Sequence, residues 1–290
     1  MPSIKQYNVK LKALRNTKKI TKTMKMVSAS KLRKAHQAQA SAKQYAGKLT
    51  DLITRLALSV ETVTHPLLKV RPKTEKILIL VFSSDRGLCG SFNNSLIRQT
   101  LAWINQNRSQ FSQIDMSFCG KRGFMFFRKL GNLKKNYENV TANPKFSEAI
   151  KIGEELSKSF IAGEYDAIYI AHNQFLSPLS QKAVFQKILP IEASQVIKAE
   201  QKKQRINYIF EPEAAELFNT LIPHYLYFKI YFSLLENSAG EHGARMTAMD
   251  NATKNASELI DRYTLLRNRV RQASITKELL EIVAGAEALK

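Results

Sequence analysis

At 290 residues, 44% of them hydrophobic, the chain is long enough to bury a full core and to hold two domains. Its purest apolar run, Ile77–Phe82, is far too short to cross a bilayer, and the charged N-terminus lacks a signal-peptide core, so a soluble or peripheral protein is expected. The formal net charge of +21 calls for an anionic partner, whether nucleic acid, an acidic protein surface or lipid headgroups.

The charge is concentrated at the front. Lys5, Lys10, Lys12, Arg15, Lys18, Lys19, Lys22, Lys25, Lys31, Arg33, Lys34, Lys43 and Lys48 precede the first acid, Asp51. This basic stretch is also helical in pattern. No proline lies between Pro2 and Pro66, and Ser3 can act as N-cap. Ile4, Tyr7, Leu11 and Leu14 set a seam. After an expected phase slip near Thr17, Met24, Val27, Leu32 and Ala35 resume it, and Ala42, Tyr45, Leu49, Ile53 and Leu56 extend it.

The middle of the chain changes period. His65 to Pro72 reads as a linker, and Ile77–Phe82 as a central parallel strand buried on both faces. An amphipathic helix follows over 93–105, then a strand at Met116–Cys119 ended by Gly120, and a short helix over 123–130. Asn139–Thr141 is a weak strand candidate. Phe146–Ile161 is helical, Ala167–Ala171 is strand-like, and 183–191 and 206–210 are further strand candidates. Lys198 to Arg205 reads as a basic loop. Alternating strand and helix signals predict a Rossmann-like α/β layer with a mostly parallel sheet.

Pro212 suits the first turn of a final helix, Pro223 should kink it, and Gly240 and Gly243 should weaken it. From Arg245 to Ala284 there is no proline or glycine. Met246, Met249, Ala252, Ala256, Leu259, Tyr263, Leu266, Val270 and Ala273 recur by threes and fours. A helix of this length runs roughly 60 Å at ~1.5 Å per residue. Each long helix buries its stripe most simply against the other, as an antiparallel two-helix coiled coil. The expected division is therefore 1–60 for the N-terminal coiled-coil helix, 61–211 for the α/β domain and 212–290 for the C-terminal helix.

No catalytic constellation is found. Asp85-Arg-Gly-Leu-Cys-Gly90 follows a strand and precedes a helix, where phosphate loops sit, yet it matches neither a dinucleotide fingerprint nor a P-loop. A tight turn with glycines at special backbone angles explains it. The five histidines are scattered without zinc-like spacing, and no nucleophile elbow occurs. Cys89 and Cys119 are lone thiols in apolar or glycine-rich surroundings and suit a reducing compartment. No catalytic residue, cofactor site or metal site is expected.

Three stretches then coincide with one family. Asn16–Lys34 resembles the amino-terminal signature of the gamma subunits of F-type ATP synthases. Ser84-Asp-Arg-Gly-Leu-Cys-Gly-Ser-Phe-Asn93 resembles their central signature. Glu241-His-Gly-Ala-Arg-Met-Thr-Ala-Met-Asp-Asn-Ala-Thr253, with Arg271–Ala286, resembles their carboxy-terminal one. The resemblance covers both ends and the middle, in order. It implies a coiled coil turning as a shaft inside a ring of alpha and beta subunits. It also implies an α/β domain at the foot beside the epsilon subunit and the membrane ring of c subunits, with proton flow coupled to ATP synthesis and nucleotides bound on the ring. By motif position, Met24 and Lys25 would lie near an acidic loop of the beta subunits, and Arg245, Gln272 and Thr276 would be the matching residues on the other helix. Thr23 stands where the family often has alanine, and Gly240 and Gly243 interrupt a stretch usually richer in alanine. The plant-type regulatory dithiol insertion is not found. A bacterial form, peripheral on the cytoplasmic face of the inner membrane, is expected.

Two other classes compete. A basic coiled-coil protein that binds nucleic acid explains the charge but not the three motifs; steeply salt-dependent DNA binding would mark it. A nucleotide-binding enzyme of the doubly wound type needs a phosphate fingerprint that is missing.

Overall fold

The structure, a computed structural model, describes residues 3–59, 65–131, 133–192 and 213–287. The strand candidate at 206–210, the basic loop at 198–205 and Pro212 lie outside the described residues. The elements in chain order are α1 (Ile4–Ser59), a 3-10 turn (Pro66–Leu68), β1 (Lys76–Phe82), α2 (Phe92–Asn107), β2 (Gln113–Cys119), α3 (Lys121–Phe127), β3 (Leu133–Tyr137), α4 (Phe146–Ala162), β4 (Ala167–Phe175), β5 (Gln181–Leu189) and α5 (Ala214–Glu287). Two compact units result: Met1–Ser28 with Arg245–Lys290, and Ala29–Ala244. The division passes through both long helices, so each helix serves both units.

The larger unit is built on a five-stranded sheet of order β3-β2-β1-β4-β5. β1 pairs in parallel with β2 and β4, β2 pairs in parallel with β3, and β5 returns antiparallel to β4. Helical crossovers enforce the parallel pairs, and a short hairpin suffices for the antiparallel one. Side chains of β1 alternate between two cores, as strand geometry dictates. Leu78, Leu80 and Phe82 join the cluster of Ile152, Leu156 and Phe160 from α4, Leu49 and Ile53 from α1, and Leu226, Ile230 and Leu234 from α5. Ile77, Ile79 and Val81 join Leu96 and Ile97 of α2, Phe118 of β2 and Phe127 of α3. The continuous apolar run of β1 thus reflects burial on both faces.

Three details depart from expectation. The third strand is Leu133–Tyr137 rather than 139–141, because Asn139 takes a left-handed conformation (φ 62°) that an extended strand does not allow. The stretch read as a linker holds the 3-10 turn, whose Leu67 is 1% exposed and whose carbonyl accepts the Ile191 N–H at 2.9 Å. Gly240 and Gly243 are close-packing positions within a continuous α5. A Cβ on Gly240 would come 3.0 Å from the Phe92 ring, and one on Gly243 would come 3.0 Å from Pro178 Cα in the β4–β5 turn. α5 also continues through Pro223.

In the smaller unit α1 and α5 run antiparallel. Tyr7 meets Tyr263 with ring centroids 6.1 Å apart, the Thr253 hydroxyl lies 2.8 Å from that of Thr21, and Lys25 Nζ lies 2.6 Å from Asp250 Oδ1. The expected phase slip does not occur. Tyr7, Thr21, Ser28 and Ala35 are all buried, at heptad spacing, while Val27 is 51% exposed. A straight heptad therefore persists with small polar residues inside it. On the α5 stretch of this unit the buried positions among the described residues are Arg245, Met249 and Ala256; Leu259, expected on the seam, is 39% exposed, and its neighbour Ile260 is half-buried.

Candidate functional site

The carboxyl end of β1 is where a doubly wound sheet normally receives a ligand. Here the position is filled by the chain's own groups. The first N–H groups of α3 would be free to bind an anion, as at any helix start. Instead, Lys121 N–H donates to Asp85 Oδ1 at 3.2 Å, Arg122 N–H to the Ser84 carbonyl at 3.0 Å and Gly123 N–H to Ser83 Oγ at 2.9 Å. The Thr141 hydroxyl holds the other Asp85 oxygen at 3.3 Å. Asn93 closes the turn before α2: its Oδ1 accepts the Ser84 N–H at 3.0 Å, and its Nδ2 donates to Ser84 Oγ at 2.7 Å and to Cys89 Sγ at 3.2 Å. Gly120, at φ 103°, sits where a Cβ would collide with the Ser83 carbonyl. The turn contains left-handed residues as expected, but they are Leu88 (φ 64°) and Gly90 (φ 57°), and Leu88 is 63% exposed. Burial and the nearby Asp85 carboxylate push the Cys119 thiol well above the usual range. This is a sealed polar junction in the sense that the first N–H groups of α3 are already paired within the chain. Among the described residues, no group of three or more His, Cys, Asp or Glu side chains could hold a metal ion.

The helix pair carries the five residues singled out by motif position. Met24 and Lys25 are half-buried on α1. Lys25 is engaged within the pair by Asp250, whose other oxygen lies 3.4 Å from Lys254. The Lys25 hydrogen bond, aided by the positive charges of Lys25 and Lys254 against the opposing effect of burial, holds the Asp250 carboxyl below the usual carboxylate range. Arg245 is 9% exposed and precedes Asp250 on the same helix. Gln272 and Thr276 lie elsewhere. They are exposed, stacked one turn apart, with the Thr276 hydroxyl donating to the Gln272 carbonyl at 3.0 Å. Tyr263 already meets Tyr7, in the first turn of α1, and both residues lie well beyond Tyr263, so both project past the start of α1. From Asp250 to Gln272 is about 33 Å of helix at a rise of ~1.5 Å per residue. Met24 and Lys25 therefore form one locus, and Gln272 and Thr276 another. Asp250 and Thr253 fall within the carboxy-terminal signature, but only the register of the two ends of the chain reveals them as the partners of Lys25 and Thr21.

Past α1 the end of α5 exposes Ile275 (50%), Leu279 (57%), Leu280 (65%), Ile282 (68%) and Val283 (58%). No helix among the described residues is long and apolar enough to cross a membrane.

Comparison with known proteins resolves the family. The family model described as ATP synthase matches residues 3–289. The ATP synthase gamma chain of Trichlorobacter lovleyi is 40% identical over 290 residues, covering 100% of both chains. That of Pelotomaculum thermopropionicum is 43% identical over 291 residues, again covering 100% of both. Among solved structures, the central stalk and c-ring of the Tetrahymena thermophila mitochondrial ATP synthase contains a chain 27% identical, with a TM-score of 0.59, covering 80% of this chain and 99% of that one. A chain of the Euglena gracilis mitochondrial ATP synthase rotor shares the fold at 18% identity and a TM-score of 0.64, covering 94% of this chain and 98% of that one. None of these matches supports the nucleic-acid reading. The chain belongs to the ATP synthase gamma chain family, whose members are non-catalytic subunits of the rotary complex.

Proposed function

We propose that the chain is the central rotor shaft of an F-type ATP synthase, coupling transmembrane proton flow to ATP synthesis and hydrolysis on a ring of alpha and beta subunits. The observation that carries this reading is the helix pair itself. Two terminal segments form one antiparallel shaft, and α5 outlasts α1 to present a bare apolar end at Ile275, Leu279, Leu280, Ile282 and Val283. Such an end suits an apolar seat that allows turning, since non-directional contacts hold at many angles.

In this reading Met24 and Lys25 meet an acidic loop of the beta subunits, and Arg245, Gln272 and Thr276 are further rotor–stator contacts. With a long stretch of α5 between them, the two loci would meet the ring at different heights. The α/β unit carries the contacts to the epsilon subunit and the c-subunit ring. The chain is held peripherally on the cytoplasmic face of a bacterial inner membrane by these partners, and nucleic acid is not among them. The sealed junction at Ser83, Ser84 and Asp85 fits a subunit that leaves nucleotide chemistry to its neighbours.

The test is affinity purification of the tagged chain from its native membranes, with identification of every co-purifying subunit. Recovery of alpha, beta, epsilon and c subunits with ATPase activity is expected. Recovery of nucleic acid without an ATPase ring would overturn the reading.

A further inference from the structure

Between residues 16 and 30, α1 carries two stripes that could face α5, and the structure uses the polar one. Thr21 and Ser28 are 8% and 3% exposed and Lys25 faces Asp250, while Ile20 and Val27 are 59% and 51% exposed. Turning α1 by one residue, about 100° of helix, would bring Ile20, Met24 and Val27 inward. Apolar area alone favours that turned arrangement. Burial of Tyr7 and Leu11 near the start of α1, and of Ala35, Leu49 and Ile53 further on, fits the observed phase, so it is between residues 16 and 30 that the phase needs a cause beyond local hydrophobic burial.

We propose that the Lys25–Asp250 ion pair, with the Thr21–Thr253 hydrogen bond one turn away, sets the rotational phase and register of α1 against α5. Both contacts are short, at 2.6 Å and 2.8 Å. A one-residue rotation breaks both. A slide of one heptad in one direction brings Lys18 to Asp250 but sets Leu14 against Thr253. The opposite slide sets Leu32 against Asp250. The two contacts coexist in one register alone. Polar residues on a helix seam act in this way, giving up stability for a unique alignment. The seam around them is short-chained or adaptable, with Ala252, Ala256, Ser28 and Met249, and such a surface resists slippage poorly. Lys254 also reaches Asp250, at 3.4 Å, but from the same helix, so it carries no information about α1. The Lys25 and Asp250 side chains are 43% and 32% exposed, so the pair adds little net stability; its contribution is the choice between two phases.

Adjacent cysteine reporters read the phase directly. In the full chain with Cys89 and Cys119 replaced by alanine, Val27→Cys and Ser28→Cys are made separately and their maleimide labelling rates compared. With Lys25 and Asp250 intact, Val27→Cys should label roughly tenfold faster or more, since the buried site reacts only through local opening. Asp250→Ala should collapse or invert that ratio. The exchange Lys25→Asp with Asp250→Lys should restore it, which a merely destabilised helix pair would not do. An unchanged ratio in Asp250→Ala, or a collapsed ratio that the exchange fails to restore, overturns the proposal.

Discussion

Gly153 of α4 and Tyr227 of α5 pack so closely that a single added methyl group cannot fit between them, and the Ile230 side chain stands 3.4 Å from the same point. The glycine is the place where two helices of the larger unit touch almost backbone to ring. Gly153→Ala should therefore destabilise the unit by about 1–3 kcal/mol through overpacking. Tyr227→Ala in the same chain should recover part of the loss. Urea midpoints of the single and double variants decide the matter; additive losses would show that the two residues do not meet.

The two neighbouring positions Ala256 and Leu259 separate the seam from the surface. Ala256 is 4% exposed and Leu259 39%. Ala256→Asp puts an unpaired charge in the helix interface, at a cost on the order of 3–5 kcal/mol. Leu259→Asp should leave the helix pair closed. Hydrogen exchange over residues 4–28 should accelerate in the first variant alone, while amides of β1 and β4 keep their protection. Equal acceleration in both would place Leu259 on the seam after all.

Asp166 gives the larger unit an acid-sensitive brace. Burial pushes its carboxyl up, but N–H donation from Lys76 and Glu75 and the Arg71 guanidinium outweigh this, leaving it below its ordinary value. The contacts measure 2.8, 2.9 and 3.1 Å. A depressed carboxyl stabilises the fold above its unfolded pKa of about 3.9 and loses that contribution as pH falls through the folded value. Asp166→Asn should thus be less stable than the parent at pH 7, with the gap narrowing as pH drops below about 4. A gap independent of pH would mean that the charge is immaterial.

Neither cysteine should act as a redox switch. Cys89 and Cys119 are 2% and 0% exposed, and burial with the Asp85 charge keeps Cys119 protonated above the usual thiol range. Alkylation of the native chain should stay slow through pH 8–9, where an ordinary thiol of pKa about 8.5 becomes reactive. Replacing both by alanine should leave the assembled enzyme's response to reductant unchanged. A thiol-dependent activity that vanishes in the double variant would refute this.

Met24 tests the proposed contact with the ring. A flexible apolar side chain at a sliding contact repacks without holding one angle. On the proposed contact with an acidic loop, Met24→Lys adds an attracted cation and should over-stabilise one rotary state, each ~1.4 kcal/mol changing a rate tenfold. ATP hydrolysis in membrane vesicles should partly survive while proton pumping falls further. A compensating change at Gln272 would have to act through the ring, because about 33 Å of helix separates the two levels. Strictly proportional loss of both activities would assign Met24 to assembly or rate rather than coupling.

Much of this fold is legible in the sequence because its signals are local. β1 is a continuous apolar run between two cores, and α2 and α4 show their buried faces at helical spacing. β3 escapes by several residues because an edge strand reading Leu-Lys-Lys-Asn-Tyr has no apolar alternation to reveal it. Gly240 and Gly243 look like weak points in one dimension, since close packing against Phe92 and Pro178 shows only in three. The seam misleads for a deeper reason. Hydrophobic periodicity favours Met24 and Val27, while the fold buries Thr21 and Ser28, and the groups that hold it there lie at the far end of the chain. Motif resemblance points to Lys25 but not to Asp250 as its partner.

The paired glycines of α5 bear on how a turning shaft would be gripped. At 240 and 243 no side chain separates the helix from Phe92, Gln181 and Pro178, so no rotamer there can swing aside under load. A joint between a backbone and rigid rings behaves as a key in a slot, yielding little before it shears. Elastic twist must then be absorbed away from this joint, in lengths of helix whose flexible side chains meet their neighbours. Larger residues at either glycine would wedge the helix away from Phe92 or Pro178, straining the joint and loosening the grip on which transmitted torque depends.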